Sequence, residues 1–316
     1  MSLTLDLSGQ LAVVTGGTRG VGAGIARAFL RAGAEVVICA RRPPERPVAA
    51  AGRSARFHPL DLREPDAVRA FFDRLAATHG RLDCLVNNAG GTPYRLLGQT
   101  GADRHARVVA LNLLAPLTAS LAAYEVMRQQ PAGGSVLMIG SVSGTRPSPG
   151  TAAYGAAKAG LEHLARSMAV EWAPRVRVNT LVLGMVRTEL SALHYGDEAG
   201  IAAVGATVPA GRLAEPAEIG DACVFLASDR AAYVTGASLL VHGGGERPAF
   251  LDAATVNQPT FNDPTANDPT ANDPTANHPT ANHPTANHPT VNHSTAFREA
   301  AAETPSIADP EAPKEN

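Results

Sequence analysis

From Leu11 to Val241 the chain alternates short, unbroken apolar runs with longer stretches whose apolar residues recur at helical spacing. Unbroken runs suit strands buried on both faces, and the helices between them supply the two covering layers. The runs are Leu11–Thr15, Glu35–Ala40, Leu82–Val86, Ser135–Ile139, Val176–Leu183 and Ser238–Val241. The helical stretches are Val21–Ala32, with Ile25, Ala28 and Phe29 on one face, then Ala67–Thr78, His105–Leu121, Ala156–Glu171 and Ala217–Ala227. The pattern predicts an α/β fold with a doubly wound parallel sheet, its ligands lying at the carboxyl ends of the strands.

The alternation stops near residue 250. Residues 1–250 hold 25 Lys and Arg against 20 Asp and Glu, whereas residues 251–316 hold 2 against 9. From Thr255 to Ser294 the chain runs in eight pentads of the form Thr-X-Asn-X-Pro, the last closing on Ser294. Their fourth position passes from Gln258 through Asp263, Asp268 and Asp273 to His278, His283, His288 and His293. A proline every five residues opposes both helix and sheet, and too few large apolar residues remain to offset the entropy of ordering. One domain, 1–250, is therefore expected to precede a disordered, acidic, low-complexity tail, 251–316. The four histidines lack a preorganised geometry and a cysteine partner, so no metal site is expected there.

Charge and composition exclude several classes of function. A mild surplus of positive charge without a Lys/Arg run is no nucleic-acid footprint. No unbroken apolar run approaches the roughly 18–20 residues that span a bilayer, and the first residues, Met1 to Asp6, carry no secretory pattern. Cys39, Cys84 and Cys223 are widely spaced among apolar residues, as free thiols in a reducing compartment would be. The expectation is a soluble cytoplasmic protein with neither a nucleic-acid nor a membrane partner.

Two clusters carry chemistry. The first run ends in Thr15-Gly16-Gly17-Thr18-Arg19-Gly20-Val21-Gly22 and feeds directly into a helix. Glycines there let the chain turn tightly and let a diphosphate approach the amides of the helix N-terminus. The second cluster is Ser141, Tyr154 and Lys158. Tyr154 and Lys158 are four apart at the start of a helix and so share a face. An ammonium one turn from a phenol favours the phenolate and draws its pKa toward the working range. A bare Tyr-x-x-x-Lys is common on solvated helix faces. Here it holds the only lysine before Lys314, and a serine stands 13 residues before the tyrosine.

Together these residues resemble the classical short-chain dehydrogenase/reductase family over about residues 7–245. Thr15-Gly16-x-x-x-Gly20-x-Gly22 matches its cofactor turn, Asp61-Leu62 its adenine contact, and Asn87-Asn88-Ala89-Gly90 the turn closing its fourth strand. Asn112, Ser141, Tyr154 and Lys158 match its catalytic tetrad. The resemblance implies a Rossmann-type domain and a nicotinamide cofactor held by Gly16, Thr18, Arg19, Gly20, Val21, Gly22, Asp61, Leu62, Asn88, Ala89, Gly90, Tyr154, Lys158, Gly184, Val186 and Thr188. It also implies that Tyr154 gives a proton to a carbonyl oxygen that Ser141 holds. Lys158 would bind the nicotinamide ribose and lower the tyrosine pKa, and Asn112 would hold a water leading to solvent. Family members form homo-oligomers, tetramers or dimers, through long helices and the last strand. Two positions depart from the pattern: Leu183 replaces the proline before Gly184, and His242 replaces the acid before Gly243.

Cofactor choice is read at the end of the second run. An acidic residue there would hold the adenosine ribose and repel a 2′-phosphate. This chain has Ala40, then Arg41 and Arg42, with Arg19 on the same side in the family's geometry. Arginine forks suit phosphate oxygens, so NADP(H) is preferred over NAD(H). The segment 189–209, which the family places over the substrate, is Ala/Gly-rich and largely uncharged, which suits a small, mostly apolar ketone or 3-oxoacyl substrate. The alternatives are an NAD-dependent alcohol dehydrogenase working in oxidation and a tail-mediated interaction protein built on a reductase fold.

Overall fold

The apolar runs become strands because both of their faces find cover. β1 (Leu11–Thr15) is buried along its whole length. Its Ala12 and Val14 join one core cluster, and Leu11 and Val13 join the other. Successive side chains of a strand point to opposite faces, so an unbroken apolar run is what a strand between two helical layers requires. The computed structural model describes residues 5–246 and residue 248. The pentads and the expected disordered tail lie outside the described residues.

Six further strands join β1 in one sheet: β2 (Glu35–Ala40), β3 (Arg56–Pro59), β4 (Cys84–Asn87), β5 (Gly134–Ser141), β6 (Val176–Leu183) and β7 (Ser238–Val241). Their order is β3-β2-β1-β4-β5-β6-β7, and every pairing is parallel. The winding reverses between β1 and β4, which places the binding crevice beyond their carboxyl ends. This is a Rossmann-type α/β domain.

The helices are α1 (Gly20–Arg31), α2 (Pro65–His79), α3 (Ala102–Val109), α4 (Ala115–Met127), α5 (Ala152–Trp172), α6 (Ala192–Tyr195), α7 (Glu198–Ala206) and α8 (Pro216–Ala227). Residues of α1 and α8 pack with one face of the sheet, where Phe29 and Ile25 are fully covered. Residues of α2, α4 and α5 pack with the other, around Phe72, Leu161 and Met127. Fully burying one such large apolar side chain stabilises by about 1.5–3 kcal/mol. Cys39, Cys84 and Cys223 are buried free thiols, and burial pushes Cys39 and Cys84 up to about 12.

The structure adds elements that the apolar pattern does not record. β3 is an edge strand of Arg-Phe-His-Pro with exposed or half-exposed residues, so it has no continuous apolar run. The helix expected over 105–121 is longer: α3 and α4 are joined by a π-helical turn, Ala110–Leu114. Together they make a 26-residue helix, Ala102–Met127, whose most apolar window reaches a mean hydropathy of 1.5, within the range of a membrane span. It is not an unbroken apolar run, since Asp103, Arg104, Arg107 and Glu125 interrupt it, and its apolar face serves the core through Ala115, Ala119, Ala123 and Met127.

Arg177 holds the end of α8. Its Nη1 donates to the carbonyls of Leu226 (2.8 Å) and Val234 (3.3 Å), and Nη2 to those of Ala227 (3.2 Å) and Ser228 (3.4 Å). The last carbonyls of a helix lack partners within it and carry its negative pole, which a guanidinium satisfies on both counts. Arg177→Met is therefore expected to lower stability by roughly 2–3 kcal/mol, measured by urea unfolding. An unchanged midpoint would mean that water serves these carbonyls equally well.

Candidate active site

At the winding reversal the ends of β1 and β4 are tied together. Thr15 Oγ1 accepts hydrogen bonds from the amides of Asn88 and Ala89, both at 3.0 Å, and donates to the Val86 carbonyl at 3.3 Å. Asn88 Nδ2 donates back to the carbonyls of Thr15 (2.9 Å) and Gly16 (3.3 Å). Gly16 sits at φ +65° with its missing Cβ 2.9 Å from Ala89 Cα, and a Cβ on Gly22 would lie 2.3 Å from the Gly16 carbonyl oxygen. Side chains at either place would fill the cradle in front of α1. That helix begins with Arg19 at its N-cap, has no side-chain cap, and carries no acid in its first turn. Its first-turn amides and positive pole suit a diphosphate.

The second cluster lies one strand further along. Ser141 ends β5, and its Oγ accepts a hydrogen bond from the Ser143 amide at 3.1 Å. Tyr154 and Lys158 occupy the first two turns of α5. Lys158 is buried, its Nζ donating to the Ile139 carbonyl at 2.7 Å and standing 5.6 Å from the centre of the Tyr154 ring. Asn112 is fully buried in the π-helical turn. Its Oδ1 accepts from the Gly91 amide at 2.8 Å, and its Nδ2 donates to the carbonyls of Gly91 (3.1 Å) and Val108 (2.9 Å). A Cβ on Gly90 would lie 2.6 Å from Asn112 Oδ1 and 3.5 Å from Lys158 Nζ. The structure thus brings Ser141, Tyr154, Lys158 and Asn112 into one neighbourhood with Gly90. The Asn112 side chain is committed to backbone partners, so its amide positions the turn.

Three comparisons bear on this arrangement. The family model described as "Enoyl-(Acyl carrier protein) reductase" matches residues 16–246. A 3-oxoacyl-[acyl-carrier-protein] reductase, FabG, of Salmonella typhimurium is 36% identical over 244 residues, covering 76% of this chain and 98% of the relative. An L-fucose dehydrogenase of Oryctolagus cuniculus is 37% identical over 246 residues, covering 76% of this chain and 86% of the relative. The ligand-free structure of an aldohexose dehydrogenase from Thermoplasma acidophilum superposes with a TM-score of 0.71 at 28% identity, covering 77% of this chain and 96% of that one.

The chain belongs to the short-chain dehydrogenase/reductase family. Its chemistry is accordingly the oxidoreduction of carbonyl and alcohol groups. Its relatives at equal identity carry the names of different substrates, so the name of one does not transfer.

The remaining residues that the family resemblance singles out are placed as follows. Asp61 does not stand free: Arg63 Nε donates to its Oδ1 at 2.9 Å and Nη2 to its Oδ2 at 2.5 Å. These bonds hold the Asp61 carboxyl down at about 2. Arg63 was not singled out by the sequence, although its place two residues after an acid was a usable signal. Leu62 is buried in the core cluster beneath β2. Ala40 ends β2, and Arg41 lies close enough to stabilise the Asp61 charge. The missing Cβ of Gly184 faces His242 Cβ at 2.8 Å, so the departure at 242 packs against the glycine that follows Leu183. Val186 bridges to Ala214, and Thr188 opens a turn in which its amide donates to Ser191 Oγ at 2.9 Å. The segment 189–209 contains α6 and α7, which lack the apolar face that would reveal them in the sequence.

Electrostatics differ from the expectation that Lys158 lowers the tyrosine. Burial raises the Tyr154 phenol above its ordinary value, and a hydrogen-bonding interaction with Ser141 only partly offsets this. The lysine is turned to the Ile139 carbonyl, and burial brings its own ammonium from 10.5 down to about 8. Between these values the unfolded chain keeps a proton that the folded protein has released, so folding is favoured as pH rises through that window. Lys158→Met fills similar space without the charge. Relative to it, the wild type should gain about 3 kcal/mol between pH 8 and 10.5, read from urea unfolding of both proteins. The cysteine and tyrosine titrations are common to the two and cancel. A flat difference would place the amine in water.

Proposed function

We propose that the protein is a cytoplasmic NADP(H)-dependent reductase of small, mostly apolar carbonyl compounds, ketones or 3-oxoacyl derivatives. The observation that carries this reading is the convergence of Ser141, Tyr154 and Lys158 where β5 ends and α5 begins. When bound, the cofactor supplies the hydride that the carbonyl carbon receives. Tyr154 gives its proton to the carbonyl oxygen, and a raised phenol pKa keeps that proton in place at neutral pH. Ser141 holds the same oxygen by donating its hydroxyl proton. Lys158 would hold the nicotinamide ribose hydroxyls and return a proton to Tyr154, while Asn112 fixes the π-helical turn beside them.

The cradle of Gly16, Thr18, Arg19, Gly20, Val21 and Gly22 would hold the diphosphate. Asp61 and Leu62 would hold the adenine, and Asn88, Ala89 and Gly90 the face of the adenosine and nicotinamide ribose region. Gly184, Val186 and Thr188 would hold the carboxamide end. Arg19 and Arg41 would receive the 2′-phosphate. An apolar substrate is supported by Tyr94, Leu96 and Leu97, exposed on the loop that packs on Gly150, and by exposed Leu193 on α6. Exposed Leu114, Leu121 and Val170 on the long helices, with Leu239 and Leu240 on the edge strand β7, support a homo-oligomer.

Tyr154→Phe removes the proton donor and keeps the ring. Ketone-dependent NADPH oxidation should fall roughly 10²–10⁴-fold, while the NADPH dissociation constant changes little. Near-normal turnover would remove Tyr154 from the mechanism. A panel of ketones, β-ketothioesters and quinones in the same assay narrows the substrate.

Cofactor preference is tested by binding alone. A charge-assisted hydrogen bond contributes about 1.5–3 kcal/mol, so NADPH should bind roughly ten- to a hundredfold more tightly than NADH. Ala40→Asp with Arg41→Ile should reverse the order by adding a ribose acceptor and a repulsion. Equal dissociation constants for the wild type would move the enzyme to the NAD-dependent alternative.

A further inference from the structure

The first turn of α1 has no acid of its own, yet a carboxylate sits on it. Glu189 Oε1 accepts a hydrogen bond from the Gly20 amide at 2.8 Å, across 169 residues of sequence. Its other oxygen is also near, since a Cβ on Gly20 would lie 3.9 Å from Oε2 and 3.5 Å from the Thr188 methyl group. The carboxylate arrives on a well-held turn. The Ser191 amide donates to the Thr188 carbonyl at 3.0 Å, the Leu190 amide to Thr188 Oγ1 at 3.2 Å, and Ser191 is buried. Immediately beyond lie α6 and α7, the latter tied back by the ion pair of Arg187 with Glu198 at 2.8 Å.

An amide that serves a carboxylate at 2.8 Å is the kind of donor a diphosphate requires, and the positive pole of the helix draws either anion. Two anions do not share one N–H, and their charges repel at that distance. We propose that Glu189 is an internal competitor for the diphosphate seat: its carboxylate caps α1, weakens cofactor binding, and is expelled when the cofactor enters. Because Glu189 heads the segment that carries α6 and α7, its expulsion couples cofactor entry to release of that segment. This rests on the nicotinamide-dinucleotide reading above.

The test compares wild type, Glu189→Gln and Glu189→Ala, each purified without nucleotide. Glu189 is exposed, so both variants are surface changes. Calorimetric titration should show NADPH bound about two- to fivefold more tightly by Glu189→Ala, with Glu189→Gln between it and wild type. Without nucleotide, the thermal midpoint of Glu189→Ala should lie below that of wild type, because α1 has lost its capping charge. Unchanged or weaker NADPH binding by both variants would overturn the proposal, the latter making Glu189 a cofactor ligand. Failure of the wild type to bind either NADPH or NADH would instead overturn the dinucleotide reading itself.

Discussion

The knot joining the ends of β1 and β4 is the constraint on which the site depends. Thr15 Oγ1 serves three backbone groups, and Asn88 returns two hydrogen bonds to the glycine turn. From there the chain continues to Gly90, whose missing side chain admits Asn112 Oδ1 and leaves Lys158 Nζ close by. Lys158 then reaches the Ile139 carbonyl, two residues before Ser141. The cradle for an anion and the proton-handling groups are thus parts of one lattice, joined by hydrogen bonds on either side and by close packing at Gly90. A buried donor or acceptor left unpaired costs about 1–3 kcal/mol, so each member fixes the next.

The lattice also explains why a lysine tolerates burial. An ammonium removed from water is unfavourable by several kcal/mol unless paired, and here a carbonyl at 2.7 Å and the tyrosine ring share the task. What remains of the penalty appears as a pKa near 8, still above neutrality. The phenol moves the other way, so at neutral pH both groups carry their protons.

The sequence reveals those parts of this arrangement whose signals are local or periodic. Six of the seven strands are legible because burial on both faces leaves an unbroken apolar run. β3 is hidden because an edge strand can be built from Arg56, Phe57, His58 and Pro59. The spacing of Ser141, Tyr154 and Lys158 is legible because strand end and helix start lie close along the chain. The π-helical turn at Ala110–Leu114 is not, because one wide turn barely disturbs a 3.6-residue period. It is nevertheless what fixes Asn112. The partners of long-range bonds are the least legible: nothing near Gly20 announces Glu189, and nothing near Leu226 announces Arg177.

Charge around the adenosine end follows from which arginines are already engaged. Arg63 is spent on Asp61, one of the two carboxylates, with Glu64, between β3 and α2. Among the described residues, Arg19, Arg41 and Arg42 enter no ion pair. Arg41 acts on the Asp61 charge without a direct ion pair, and Ala40 contributes no opposing acid. This is the charge distribution on which the proposed NADP(H) reading draws, while under the proposal above the Glu189 carboxylate would oppose a diphosphate at Gly20. On those two readings, attraction at one end of a dinucleotide and competition in its middle would make binding selective without making it irreversible.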